Sequence, residues 1–124
     1  MAQIFAATDT LSPMDAMERL GCRTAPEVLA GVLYACLTCN GDFDAAMITA
    51  VNHSGRSGAV AAITGAIMGL RLGEDALPDF YMESLEPAQL LRELADDLAQ
   101  VSLRNYMSRL YDDDWDHKYL HVGF

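Results

Sequence analysis

Residues 24–39 read TAPEVLAGVLYACLTC, and this stretch decides the fold class. Thr24 and Glu27 have the spacing of a capping box, and Pro26 lies in the first turn, so a helix is predicted to begin here. Its apolar residues recur at helical spacing and predict one buried stripe: Val28, Leu29, Val32, Leu33, Cys36 and Leu37. The pattern predicts a helix that continues to about Cys39.

Similar start and stop signals lie on both sides of this helix. Ser12 precedes Pro13 as an N-cap, and Gly21 can close a short helix after it. Asn40-Gly41 ends the 24–39 helix, and Asp42 caps a new one. Further helices, or a short turn in the third case, are predicted over about 43–51, 58–72, 77–85 and 88–111. Because no segment alternates as a strand does, the sequence predicts an all-α fold, a compact helical bundle.

Residues 58–72 are rich in alanine, glycine and isoleucine. Ala61, Gly65, Gly69 and Gly73 recur every four residues, which on a helix forms a flat strip that allows close backbone packing. A membrane span needs about 20 apolar residues, and this run is shorter. We therefore expect a central buried helix here and no membrane association.

Composition restricts the classes of function. The 124 residues carry 18 acidic and 8 basic side chains, a net charge of −10, which argues against direct nucleic-acid binding. The length indicates a single domain over residues 1–124. The start of the chain lacks a basic signal-peptide region, and the odd number of cysteines favours reduced thiols, so a cytoplasmic location is expected. Buried thiols are the favoured interpretation, ahead of a zinc or redox site, for Cys22, Cys36 and Cys39.

The C-terminal tail, residues 112–124, combines acidic and aromatic side chains. One interpretation is a solvated chain end. The other is a surface that binds a protein partner, a basic one in particular. The candidate partner-binding residues are Asp112, Asp113, Asp114, Trp115 and Asp116.

Several stretches also occur in the order and spacing of a known family. They are TAPEVLAGVLYA at 24–35, AVNHSG at 50–55, AITGAIMG at 62–69 and GEDALP at 73–78. Over residues 16–98 the chain resembles the C-terminal part of the ADP-ribosylglycohydrolase family. The resemblance implies the C-terminal half of that family's all-helical fold, without the N-terminal region that supplies half of its metal ligands.

In that family two magnesium ions activate the water that hydrolyses the bond to ADP-ribose. The resemblance implies that the metal-binding loop, Asp-Ser-Asp-Ser/Thr-Thr, falls here on residues 56–60. Arg56 and Gly58 then replace both carboxylates, so neither a metal site, a cofactor nor a catalytic residue is expected. The degenerate active-site loop comprises Asn52, His53, Ser54, Arg56, Ser57 and Gly58. Asn52 and Ser54 either line a residual polar pocket or, as the favoured interpretation, cap the following helix.

Three functions follow from these observations. The first is a non-catalytic relative of the family that acts as a protein-binding or structural module. The second is an acidic inhibitor of the phage anti-defence type, which blocks a basic nucleic-acid-binding groove on another protein. The third is a subunit of a split ADP-ribosyl hydrolase. Apolar helix faces that the N-terminal half would bury could be covered in a homodimer, or by side chains at the two chain ends: Ile4, Phe5, Trp115, Tyr119 and Phe124.

Overall fold

The structure, a computed structural model, describes the backbone of residues 11–104 and the side chains of residues 11–100. Within these limits the chain forms helices and no strand, which confirms the all-α prediction. The helices are α1 (Pro13–Leu20), α2 (Ala25–Thr38), α3 (Phe43–Val51), α4 (Ser57–Leu72), α5 (Asp79–Glu83) and α6 (Ala88–Arg104), with a 3₁₀ turn at Glu74–Ala76.

The chain divides into two compact units. Met1–Ser84 contains helices α1 to α5, and Leu85–Phe124 contains α6. Helix α6 begins where the sequence predicts, and the predicted continuation over 105–111 lies outside the described residues. The interpretation of residues 1–124 as a single domain stays a prediction.

The helix starts follow the predicted capping residues. Ser12 Oγ accepts the backbone N–H of Asp15 at 3.3 Å at the start of α1. The Glu27 carboxylate accepts the backbone N–H of Thr24 at 3.0 Å, which is one half of the predicted capping box. Asp42 caps α3 with its side chain. These local hydrogen bonds replace the partners that the first turn of a helix lacks.

Helix α2 is the central element of the first unit. It packs against α1, α3 and α4, and its buried residues are Val28, Ala30, Gly31, Val32, Tyr34, Ala35 and Cys36. The predicted stripe is correct for Val28, Val32 and Cys36. It is wrong for Leu29 and Leu37, which are 46% and 70% exposed. Because α2 is apolar on nearly every side, its periodicity does not indicate which face is covered.

Small residues on α2 allow close packing against α1. A Cβ built on Gly31 would lie 2.5 Å from Cys22 Sγ and 3.1 Å from Met17 Cε, much closer than van der Waals contact. Met17 and Cys22 are both fully buried there. Glycine at position 31 is therefore needed for the core to close.

The prediction of a central buried helix over 58–72 is wrong with respect to burial. Helix α4 forms, but its buried residues are Val60, Thr64 and Met68, at positions i, i+4 and i+8. The predicted small-residue strip packs at one end only. Ala61 packs against the core, whereas a Cβ on Gly69 would meet nothing within 4 Å. None of the helices between residues 11 and 104 has the length and hydrophobicity of a membrane span.

The three cysteines are free and buried, which confirms the favoured interpretation. Cys39 Sγ donates a hydrogen bond to the backbone oxygen of Cys36 at 3.2 Å and lies 3.9 Å from Met68 Sδ. Burial raises the pKa of Cys22 and of Cys36 above the usual thiol value. Burial therefore disfavours the thiolate, which is the reactive form, at both positions.

Candidate functional site

The loop between α3 and α4, residues 52–56, contains most of the candidate site. Its first residue, Asn52, is the C-cap of α3, and its side-chain Nδ2 donates to the backbone oxygen of Ile48 at 2.7 Å. The predicted role of Asn52 as a cap of the following helix is therefore wrong. The same Ile48 oxygen accepts the backbone N–H of Asn52 at 3.2 Å, so Asn52 closes the last turn of α3 with two hydrogen bonds.

Ser54 ties this loop to α1. Its backbone N–H donates to Glu18 Oε1 at 2.5 Å, and its hydroxyl donates to Glu18 Oε2 at 2.6 Å. The side-chain hydrogen bond from Ser54 and then the backbone one lower the pKa of Glu18 below its ordinary value of 4.5. The predicted cap of α4 by Ser54 is wrong, because its hydroxyl is used on α1.

His53 is held by the backbone around it. Its Nδ1 accepts the backbone N–H of Gly55 at 3.1 Å, and its Nε2 lies 2.9 Å from the backbone oxygen of Ala50. The two contacts together fit the neutral tautomer that carries its proton on Nε2. Both ring nitrogens are therefore engaged in shaping the loop.

Gly55 and Arg56 bring the loop against the connection between α1 and α2. A Cβ on Gly55 would overlap the backbone oxygens of Gly21 and Cys22. The backbone N–H of Arg56 donates to the same Cys22 oxygen at 2.8 Å. Only glycine fits at position 55, and the start of α4 is fixed by contacts to a distant part of the chain.

The sequence resemblance assigns the metal-binding loop to a run of residues that begins with Arg56, Ser57 and Gly58. Arg56 is the N-cap of α4 and makes no side-chain capping hydrogen bond, and its side chain is exposed. Ser57 opens the helix, and Gly58 is exposed and has no side chain. This set offers one hydroxyl oxygen and a guanidinium cation, whereas Mg²⁺ requires several oxygen ligands, carboxylates above all. The residues present do not fit the metal.

The remaining candidates are possible metal ligands elsewhere in the chain and the residues predicted to bind a partner or to cover exposed helix faces. Among the described side chains, no group of three or more His, Cys, Asp or Glu residues has a metal-binding arrangement. The partner-binding candidates Asp112, Asp113, Asp114, Trp115 and Asp116 lie outside the described residues, as do Ile4, Phe5, Tyr119 and Phe124.

The sequence interpretation missed Glu18. Glu18 lies 36 residues before Ser54. It occupies an exposed position on α1, and no motif in the sequence around it indicates a contact with the loop. Even where Ser54 is expected to bind a carboxylate, the sequence does not indicate which of the 18 acidic residues provides that carboxylate. Only the packing of α1 near the loop identifies the partner.

The helices and the polar loop before α4 define an all-α protein over the described residues. A family model described as ADP-ribosylglycohydrolase matches residues 1–106. The chain belongs to this family, as the sequence resemblance indicates.

One similar curated protein is an uncharacterized protein of Archaeoglobus fulgidus. It is 38% identical over 63 residues, which cover 51% of this chain and 20% of that protein. The match therefore extends over about one fifth of the relative's length. No solved structure matches the chain.

Proposed function

We propose that this chain is a non-catalytic member of the ADP-ribosylglycohydrolase family that acts in the cytoplasm as a protein-binding or structural module. The observation that carries the proposal is the exposed Arg56 side chain at the start of α4. The resemblance assigns this position to a magnesium-binding carboxylate.

The charge of Arg56 has the wrong sign for a metal ligand. A guanidinium stays protonated at every physiological pH, so Arg56 repels a divalent cation where the family attracts one. Gly58 offers no ligand in place of the second carboxylate. The hydrogen bond between Arg56 N–H and the Cys22 oxygen and the pair of hydrogen bonds between Ser54 and Glu18 fix the loop backbone. These contacts hold the loop in the observed conformation.

The binding role is supported by exposed apolar side chains. Ile63 and Leu70, both on α4, are 44% and 90% exposed. Isolated exposed apolar residues are normal in proteins, but groups of them on one helix face are typical of interaction sites. The loss of metal-binding carboxylates from the loop does not remove these apolar surfaces, so a non-catalytic module can still present them to a protein partner.

The proposal is tested by calorimetry and by a hydrolysis assay. We expect that the full chain shows no saturable Mg²⁺-dependent binding of ADP-ribose and releases no ADP-ribose from a mono-ADP-ribosylated protein. The matched variant combines Arg56→Asp and Gly58→Asp, which restores both carboxylates. We expect it to bind Mg²⁺ more tightly than the unmodified chain, because two anionic oxygen ligands replace one repelling charge.

Two outcomes would contradict the proposal. The first is release of ADP-ribose by the unmodified chain. The second is equal Mg²⁺ affinity of the unmodified chain and the double variant, since Arg56 would then not be the group that excludes the metal.

The acidic-inhibitor alternative depends on residues 112–116, which lie outside the described residues. It predicts a salt-sensitive complex with a basic protein, weakened by changing Asp112, Asp113 and Asp114 to asparagine. The split-hydrolase alternative predicts ADP-ribose release only after a second chain is added. The hydrolysis assay with and without a second chain distinguishes the split hydrolase from the module, and the salt dependence of the complex with a basic protein tests the inhibitor.

A further inference from the structure

The exposed face of α4 has the pattern of a helix-packing surface. Ala59, Ile63, Ala66 and Leu70 follow one another at intervals of four, three and four residues. This is the spacing at which side chains of one helix meet those of another. All four are exposed, Leu70 by 90%, and residues 57–70 contain no charged side chain. We call these four residues the α4 seam.

We propose that the α4 seam binds the α4 seam of a second copy of this chain, with the two helices antiparallel. Small and large side chains alternate along the seam. A two-fold axis between Ile63 and Ala66 places Leu70 opposite the second copy's Ala59, and Ile63 opposite the second copy's Ala66. Every large side chain then meets a small one, which is the size match that close helix packing requires.

Charges at the ends of the seam favour the same orientation. Arg56 lies just before α4. Arg71 lies in the last turn of α4 and Glu74 and Asp75 just after it, so one positive and two negative charges leave this end with a net charge of −1. The antiparallel arrangement brings Arg56 to the second copy's Glu74 and Asp75, and the two-fold axis makes this contact twice. A parallel arrangement would bring the two Arg56 side chains together, and like charges repel. The ends of α4 therefore select a second copy in the antiparallel orientation.

This inference rests on the proposed function, because it names the partner of the module. Arg56 then has two effects. It repels a metal ion, and it supplies the positive charge at the contact between the two copies. A 16-residue helix is about 24 Å long, so the interface is small. We therefore expect a reversible dimer that forms with rising concentration.

The experiment is sedimentation equilibrium of the full chain, from about 10 μM to about 1 mM. The average mass should rise above the 13.5 kDa of the monomer towards twice that value. Leu70→Glu should raise the dimer dissociation constant at least about tenfold, because it places a charge in the seam. Leu37→Glu is the matched control, the same change at an exposed leucine on α2, and it should leave the constant unchanged. Circular dichroism of each variant checks the fold.

Reversing the charges at the ends of the seam tests both the contact of Arg56 with the second copy's acidic residues and the antiparallel orientation. Arg56→Glu should weaken the dimer, and adding Glu74→Arg and Asp75→Arg to that variant should restore it. A parallel dimer would show no such rescue. The inference is overturned if the unmodified chain stays monomeric throughout the range, if Leu70→Glu acts no more strongly than Leu37→Glu, or if the reversed charges give no rescue. A monomer that also fails to hydrolyse ADP-ribose overturns this inference alone, whereas an active chain overturns the proposed function.

Discussion

At the scale of single residues, Glu18 holds the candidate loop from outside it. Its carboxylate accepts both the N–H and the hydroxyl of Ser54, at 2.5 and 2.6 Å. The family resemblance located the loop, because the motif residues are consecutive. It did not locate Glu18, because that contact forms only when α1 packs close to the loop. Local sequence therefore predicts where a loop lies better than what holds it.

The lowered pKa of Glu18 predicts a pH dependence for the loop. A carboxylate whose folded pKa is depressed stabilises the fold above its ordinary value of 4.5, and this contribution is lost as the pH falls through the lowered pKa. We expect faster amide exchange at Ser54 in Glu18→Gln than in the unmodified chain at pH 6, measured by hydrogen exchange and NMR. The difference should shrink as the pH is lowered, because the unmodified Glu18 is then protonated as well.

A control for this prediction is Glu83→Gln, which removes an exposed carboxylate at the end of α5. It should leave exchange at Ser54 unchanged. Equal exchange rates at Ser54 in the unmodified chain and in Glu18→Gln would show that this carboxylate does not hold the loop.

At the scale of helices, boundaries and burial differ in how well the sequence predicts them. Ser12 and Asp42 act as N-caps where predicted, because capping involves residues only a few positions apart. Burial of α4 was predicted wrongly, because Ile63 and Ile67 are apolar and yet exposed. An apolar helix with neighbours on one side only has the same sequence pattern as one that is surrounded. Which case applies depends on the arrangement of the other helices.

Two helical glycines should respond in opposite directions to alanine. Gly69 on α4 has no atom near the place of a Cβ, so Gly69→Ala should raise the free energy of unfolding by about 1 kcal/mol through helix propensity. At Gly31 on α2 the new Cβ would collide with Cys22 Sγ, so Gly31→Ala should lower it by about 1 to 3 kcal/mol. Urea denaturation at low protein concentration measures both.

Each variant serves as the control for the other, because both make the same change inside a helix. A loss of stability in Gly69→Ala would mean that another element packs closely against Gly69. An unchanged stability in Gly31→Ala would mean that α1 and α2 are not in the close contact that the Cβ distances indicate.

At the scale of the whole molecule, the buried apolar core is concentrated in one unit. Every residue of the described core cluster lies between Ala16 and Met68, and α1, α2, α3 and α4 contribute to it. The unit Met1–Ser84 contains all of these residues. Since burial of apolar surface is the main stabilising contribution to folding, stability should reside in this unit.

The fragment Met1–Ser84 is therefore expected to fold without the rest of the chain. It should show a helical circular dichroism spectrum and one cooperative thermal transition, because it keeps the whole described core. The matched control is a fragment that ends at Arg56. It lacks α4 and with it the buried side chains of Val60 and Met68, so it should have no cooperative transition. If the longer fragment also melts without a transition, residues after Ser84 are required for the fold, and the core assignment is wrong.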